Sequence, residues 1–118
     1  MRYRWKIFLA NLDPVIGSEQ GKARPVLVIS DEQINQILPV VNVIPVTTLK
    51  PGRHIYSNEV RISPDHSGLP SDSILLCYQI GTLDKRRLVK NLGGIDDPVL
   101  RAAILEALTF QLALDDCG

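Results

Sequence analysis

The chain has little of what usually fixes a protein's compartment or partner. It carries two cysteines, one tryptophan and no net charge, thirteen lysines and arginines being matched by thirteen aspartates and glutamates. Cys77 lies in an apolar run and Cys117 in the tail. Two cysteines so placed supply no disulfide framework, which excludes the small secreted scaffolds and predicts an intracellular protein. Cys77 reads as a small buried hydrophobe and Cys117 as a free thiol. No segment approaches the ~18 apolar residues of a membrane span. The opening Met1-Arg2-Tyr3-Arg4 with Ile7 to Ala10 imitates a signal peptide, but Asn11, Asp13 and Pro14 end the apolar run short of the ~7–15 residues required. The expectation is a cytoplasmic protein with its natural N-terminus and no membrane partner. Nucleic-acid binders commonly carry a basic surplus, and this chain has none. Any affinity for phosphate must come from a local cluster. No spacing of His, Cys, Asp and Glu resembles a metal-ligand set, and no cofactor is expected.

What is present suits one domain over residues 1–118, with 45% hydrophobic and 22% charged residues, enough to bury a core without disulfides or metal. Strand-like runs dominate. Trp5 to Leu12 is apolar and closes at Asp13-Pro14, Gly17 to Ala23 is a polar loop, and Pro25 to Ile29 reads as a buried strand. Asp31 to Leu38 suits a turn or two of helix, capped by Ser30 or Asp31, with Ile34, Ile37 and Leu38 on one side. Val40 to Val46 is the next strand, and Pro45 predicts that it ends at an edge or bulge. Lys50 to Arg53 is a turn. Glu59 to Ile62 alternates as a half-exposed strand should. Ser63 to Pro70 is a loop, Ser73 to Ile80 a buried run and Leu88 to Leu92 a shorter one. Many short strands with turns between them predict a mainly β, small-barrel architecture rather than alternating β/α units.

The C-terminal segment differs. Asp97 suits a cap, Pro98 the first helical position, and Val99 to Leu114 follows without a breaker. Leu100, Ile104, Ala107 and Leu108 form one stripe, while Leu105 and Leu112 lie well round the helix. An apolar surface so wide implies a second surface to bury it, and a second copy of the chain is the expected one; simple exposure of the extra leucines is the alternative.

The segment from Asp13 to Ser30 contains Gly17-Ser18-Glu19-Gln20, a glycine-bearing spacer, and Arg24-Pro25 leading into an aliphatic strand. It closely resembles the signature of the MazF/PemK toxins. Three further blocks agree in order and spacing: Val46-Thr47-Thr48, Gly68 to Ser73, and Gln79-Ile80 with Thr82 to Lys85 and Arg87-Leu88. The resemblance runs from about Trp5 to Leu114. Two departures stand out. The family usually shows Arg-Gly-Asp-Ile where this chain has Arg4-Trp5-Lys6-Ile7, and Glu-Gln-Ile-Arg where it has Tyr78-Gln79-Ile80-Gly81. The second removes a cation. The resemblance implies an SH3-like, partly open small barrel with a C-terminal helix, of the kind shared by MazF, PemK and CcdB. It implies a homodimeric toxin of a type II toxin–antitoxin system that cleaves single-stranded mRNA without metal. It also implies inhibition by a cognate antitoxin peptide, and contact with operator DNA through the antitoxin complex.

Metal-free cleavage of RNA uses the 2′-OH as nucleophile, and a guanidinium that grips two phosphate oxygens suits the charge that develops. Arg24 fits because Pro25 restricts its backbone to extended conformations; a solvated strand-end charge is the alternative. Thr47 supplies a hydroxyl on a β-branched stem with few rotamers. Its separation of twenty-three residues from Arg24 fits the family's arginine–threonine pair, with Thr48 in support. Ser18, Glu19 and Gln20 are candidates for substrate contact, with Glu19 able to accept a proton or orient Arg24; an ordinary turn is the alternative. Gln79, in a buried run, either reads RNA or braces the loop. His54 and His66 are of a residue type suited to proton transfer but fall at positions the family does not use. A CcdB-like toxin that binds DNA gyrase without chemistry, and a degenerate member acting with its antitoxin as an autorepressor, are the rival readings.

Overall fold

The computed structural model describes residues 1–12 and 22–115. Its strands are β1 (Lys6–Asn11), β2 (Ala23–Val28), β3 (Val40–Thr48), β4 (Glu59–Ile62), β5 (Ser73–Leu76), β6 (Gly81–Asp84) and β7 (Leu88–Gly94). The helices are α1 (Glu32–Ile37), α2 (Pro64–Ser67) and α3 (Pro98–Leu112). The strands form a seven-stranded antiparallel sheet in the order β4-β5-β3-β2-β1-β7, with β6 added against β3. The two ends of this order, β4 and β7, do not pair among the described residues, so the barrel is open. The expected mainly β fold with a C-terminal helix is the observed one.

Strand β3 holds the assembly together. Its first residues, Val40 to Val43, pair with β6, and its last three, Val46 to Thr48, pair with β5. On its other edge Val43, Ile44 and Pro45 pair with Val28, Leu27 and Val26 of β2. Successive strand residues point to opposite faces, and here both faces are covered. Ile7, Leu27, Ile44, Val46, Leu75 and Ile104 belong to one buried cluster, and Phe8, Val26, Val28, Val41 and Val43 to another. That is why these strands read as continuous apolar runs rather than alternating ones. Helix α3 starts where the sequence places it, the Asp97 carboxylate accepting from the Leu100 N–H at 3.1 Å. Its Ile104, Ala107 and Leu108 close the first cluster.

The open ends are drawn together by contact instead of pairing. Helix α2 lies against β7, and a Cβ at Gly93 would stand 2.0 Å from the Ser67 carbonyl oxygen, a distance no side chain tolerates. At the start of β1, Trp5 has φ 68°, a left-handed conformation that costs a non-glycine residue roughly 1–2 kcal/mol. It is held there from both sides: its N–H donates to the Val28 carbonyl and its carbonyl accepts from the Ile95 N–H, each at 2.8 Å.

Four expectations are corrected. Pro45 lies inside β3, which runs on to Thr48; it falls in the gap where β6 has stopped pairing and β5 has not begun, so its missing N–H removes no ladder bond on that side. Glu59 is buried rather than solvent-facing. The segment from Ser63 to Pro70 contains a helical turn, α2. In α1, capped by Asp31 as expected, the buried residue is Asn35, while Ile34, Ile37 and Leu38 are exposed. Asn35 turns inward because its amide is satisfied there, donating to the Ser30 carbonyl at 2.9 Å and to Glu32 at 3.3 Å. The turn at Asp13-Pro14, most of the loop expected from Gly17 to Ala23, and Cys117 lie outside the described residues; Cys77 is buried, and burial pushes its thiol up to about 11.

Glu32 ties the N-terminal segment to α1. It accepts from the Tyr3 N–H at 3.0 Å, the Arg4 N–H at 2.8 Å and the Gln36 amide at 2.6 Å. Burial works to raise its pKa, but the bonds from Arg4, Gln36, Tyr3 and Asn35 outweigh it and bring the pKa from 4.5 down to about 2. A folded-state pKa below the unfolded one means stability that is complete above about pH 4.5 and is lost as pH falls through about 2. Glu32→Ala is therefore expected to destabilise the protein at neutral pH by roughly 1 kcal/mol, a cost reduced by solvent because the backbone donors it leaves unmet are only partly buried. It should also flatten the acid limb of the stability curve. Urea unfolding at a series of pH values checks both, and parallel acid limbs for parent and variant would show that Glu32 does not hold this segment.

Candidate active site between β2 and β3

Arg24 is the second residue of β2, and on its β1 side it pairs with Ala10. The β2–β3 register, carried two residues beyond the Val26–Pro45 pair, sets Arg24 opposite Thr47. The two side chains line one cavity of about 210 Å³, together with Thr48, Pro70, Ser71 and Ser73. The far wall comes from β5, whose Ile74 and Ser73 pair with Thr47 and Thr48. Arg24 is exposed and Thr47 half-buried, and among the described residues no carboxylate pairs with the Arg24 guanidinium. An exposed cation with no carboxylate partner among the described residues, facing a rotamer-restricted hydroxyl across a small concavity, suits an anionic group that gains charge as it reacts.

The remaining sequence candidates divide. Thr48 lines the cavity. Ser18, Glu19 and Gln20 lie outside the described residues. Gln79 is not where its apolar surroundings suggest. It is exposed, in a 3-10 turn from Cys77 to Gln79 that carries the chain from β5 to β6 past Ile44 and Pro45, and it does not line this cavity. Gly81, just beyond, is exposed, and a Cβ there would meet only the Gln79 carbonyl at an ordinary 3.7 Å, so a longer side chain fits. His54 stacks edge-on against Tyr56 at 4.6 Å, and His66 lies on α2; neither lines the Arg24–Thr47 cavity. Ser71 and Ser73 were missed as wall residues. Their block, Gly68 to Ser73, was visible in the sequence, but its position against Thr48 is set by the β3–β5 register. No three His, Cys, Asp or Glu side chains converge among the described residues.

A larger hollow of about 430 Å³ is lined by Arg53, Tyr56, Glu59, Tyr78 and Phe110. Here the charged groups are spent on each other. Arg53 donates twice to Glu59, at 3.0 and 2.7 Å, and the Tyr56 N–H adds a third bond at 3.0 Å. The bond from Arg53 holds the Glu59 carboxyl below the usual range, against the opposing effect of burial. The arrangement fastens the Lys50–Arg53 turn to β4 and leaves neither group free for a ligand.

Residues 3–112 match the family described as PemK-like, MazF-like toxin of type II toxin–antitoxin system. The chain is 36% identical over 113 residues to Endoribonuclease EndoA of Bacillus subtilis (strain 168), covering 96% of each. Among solved structures it resembles the Mycobacterium tuberculosis toxin MazF-mt6, with 28% identity, a TM-score of 0.73, and coverage of 92% of this chain and 96% of that one. It also resembles a chain of a MazE–MazF structure from Deinococcus radiodurans, with 28% identity, a TM-score of 0.71, and coverage of 94% and 95%.

The two arginines should separate in a stability measurement. Arg53→Ala strands the buried Glu59 carboxylate without its guanidinium partner and should lower stability clearly, although the Arg53 side chain itself is 32% exposed. Arg24→Ala removes an exposed side chain with no ion pair among the described residues and should stay within about 0.5 kcal/mol of the parent. Denaturant midpoints decide it, and equal losses in the two variants would mean that Arg24 is structural.

Proposed function

The chain belongs to the PemK-like, MazF-like family of type II toxin–antitoxin toxins, and from that premise we propose that it is an endoribonuclease cutting single-stranded mRNA at the Arg24–Thr47 cavity without a metal ion. The observation that carries this reading is the juxtaposition of Arg24 and Thr47 across β2 and β3. A relative over 96% of the chain is named an endoribonuclease, which supports the same activity here. The 2′-oxygen attacks the adjacent phosphorus, the bond to the 5′-oxygen breaks, and the products are a 2′,3′-cyclic phosphate and a 5′-hydroxyl. The 2′-OH proton passes to a base and the departing 5′-oxygen gains a proton. Arg24 takes two non-bridging phosphate oxygens through its planar fork as negative charge builds. Thr47 donates to a phosphate oxygen or aligns the 2′-OH, with Thr48 beside it. Glu19 is proposed to accept the proton or to orient Arg24, and Ser18, Gln20 and Gln79 to contact bases or phosphate. Duplex RNA would be a poor substrate, because base contacts require splayed single strands.

The proposed assembly is a cytoplasmic homodimer of single-domain chains, each with its core at about residues 5–114. The apolar excess of α3 supports it: Leu105, Phe110 and Leu112 are 41%, 63% and 47% exposed. The proposed inhibitor is a cognate antitoxin peptide covering the RNA surface, as suggested by the MazE–MazF relative, with operator DNA reached through that complex. No described helix is long and apolar enough to cross a membrane.

Two measurements test this reading. Arg24→Ala and Thr47→Ala are each expected to slow cleavage of a long single-stranded RNA by ~10²–10³-fold or more, the usual loss for one pre-organised donor. Arg24→Lys should recover only part of the rate, and the double variant should be little worse than the worse single one. Cleavage should continue in excess EDTA; dependence on a divalent ion, or near-parental activity of Arg24→Ala, would overturn the mechanism. Light scattering at micromolar concentration should give about twice the 13.1 kDa of one chain, and a monomer alone would rule out the homodimer.

A further inference from the structure

The barrel end opposite Arg24 holds a second group of cations, interleaved with carboxylates. A concavity of about 470 Å³ there is lined by Arg2, Arg4, Trp5, Lys6 and Arg101, with Asp31, Glu32 and Asp96 also in its wall. The three carboxylates are engaged. Asp31 caps α1 through the N–H groups of Gln33 and Ile34, Glu32 accepts from Tyr3, Arg4 and Gln36, and Asp96 lies 3.4 Å from Arg101. Arg101 is engaged too, donating from Nε to the Ile95 carbonyl at 2.6 Å. Arg2, Arg4 and Lys6 form no ion pair with any described residue. Arg4 Nε is buried without a hydrogen-bond partner among the described residues, a state that costs roughly 1–3 kcal/mol and calls for an acceptor.

The positions of Arg4 and Arg101 are imposed. Arg4 and Arg101 place their guanidinium carbons 5.2 and 5.0 Å from the centre of the Trp5 ring, and Trp5 is held in its left-handed conformation by Val28 and Ile95. Fastening the N-terminus to α3 accounts for Arg101 and for one face of Arg4. It leaves Arg2, Lys6 and Arg4 Nε without a role. Strained backbone, unpaired cations and an orphaned donor in one concavity are together the features of a ligand site.

We propose that the concavity around Trp5 binds a phosphate group through Arg2, Arg4 and Lys6, at a site separate from the Arg24–Thr47 cavity. A tetrahedral anion offers oxygens in several directions and can meet three cations at once, whereas a planar carboxylate matches a single guanidinium fork. The phosphate is not the one at Arg24. Arg24 pairs with Ala10 at the far end of β1, and the five residues from there back to Trp5 span roughly 16 Å at a strand's rise of ~3.3 Å per residue. It comes from free phosphate or from a remote nucleotide of a bound RNA strand.

Trp5 is the chain's one tryptophan, so intrinsic fluorescence reports on this site directly and without any need for catalysis. The protein is titrated at constant ionic strength with inorganic phosphate, with a short single-stranded RNA in the Arg24→Ala background, and with acetate. Saturation by phosphate identifies the free anion as sufficient; saturation by the oligonucleotide alone identifies a strand phosphate. In either case Arg4→Gln and Lys6→Gln should each weaken binding about tenfold, equivalent to about 1.4 kcal/mol, while Arg24→Ala leaves the phosphate response intact. If Arg4→Gln unfolds by circular dichroism, Lys6→Gln and Arg2→Gln carry the comparison. No saturation with either phosphate source, equal saturation with acetate, or unchanged affinity in the folded variants would overturn the site.

Discussion

The register of β2 against β3 is the constraint on which the rest depends. Arg24 and Thr47 are brought face to face only because Leu27 stands opposite Ile44 three pairs deeper in the sheet. A slip of one residue would turn every side chain of one strand to the other face. Here that slip is barred from both sides. Leu27 and Ile44 belong to the cluster under α3, while Val26, Val28 and Val43 belong to the cluster on the opposite face. Neither strand has a polar face to exchange for an apolar one. Two buried faces, which look redundant for stability in a small protein, thus fix the geometry of an exposed arginine at the end of the ladder.

The chain's charges are arranged by similar division. With no net charge, the molecule has no long-range field to draw an anion, and its attraction must be local. Arg53 is consumed by Glu59, Arg61 by Asp72 and Arg86 by Asp84. Among the described residues, Arg24 at one end of the barrel and Arg2, Arg4 and Lys6 at the other are among the cations that no carboxylate pairs. The same residue types therefore do opposite work according to whether a carboxylate lies within reach.

The sequence makes the strands legible because buried strands must be apolar throughout, and it makes α3 legible because Asp97 and Pro98 mark a helix start in local chemistry. It fails where a long-range partner decides. Glu59 reads as a solvent-facing residue because alternation is local, yet its burial depends on Arg53 arriving from the preceding turn. Ile34, Ile37 and Leu38 read as a core-facing stripe, but the amide of Asn35 finds its partners inward and turns α1 over. Pro45 reads as a strand end because its missing N–H is visible, whereas the gap between β6 and β5 that accommodates it is not. Gln79 reads as buried because the apolar run does not reveal the 3-10 turn that swings it out. The pair Arg24 and Thr47 was legible by resemblance to a known pattern; their separation alone says nothing about which strands lie side by side. The loop of Ser18, Glu19 and Gln20 lies outside the described residues.

The contact between Gly93 and Ser67 bears on which sequences this fold can tolerate. Helix α2 leads directly into Leu69, Pro70, Ser71 and Ser73, which wall the Arg24–Thr47 cavity. Even one methyl group at position 93 would collide with the Ser67 carbonyl and lever α2 off β7, carrying that wall with it. A position with no chemistry of its own, on the far side of the barrel seam, is thereby as narrowly restricted in its alphabet as a catalytic residue. Invariance at 93 among relatives would record the thickness of a seam, and would be misread as a mark of function.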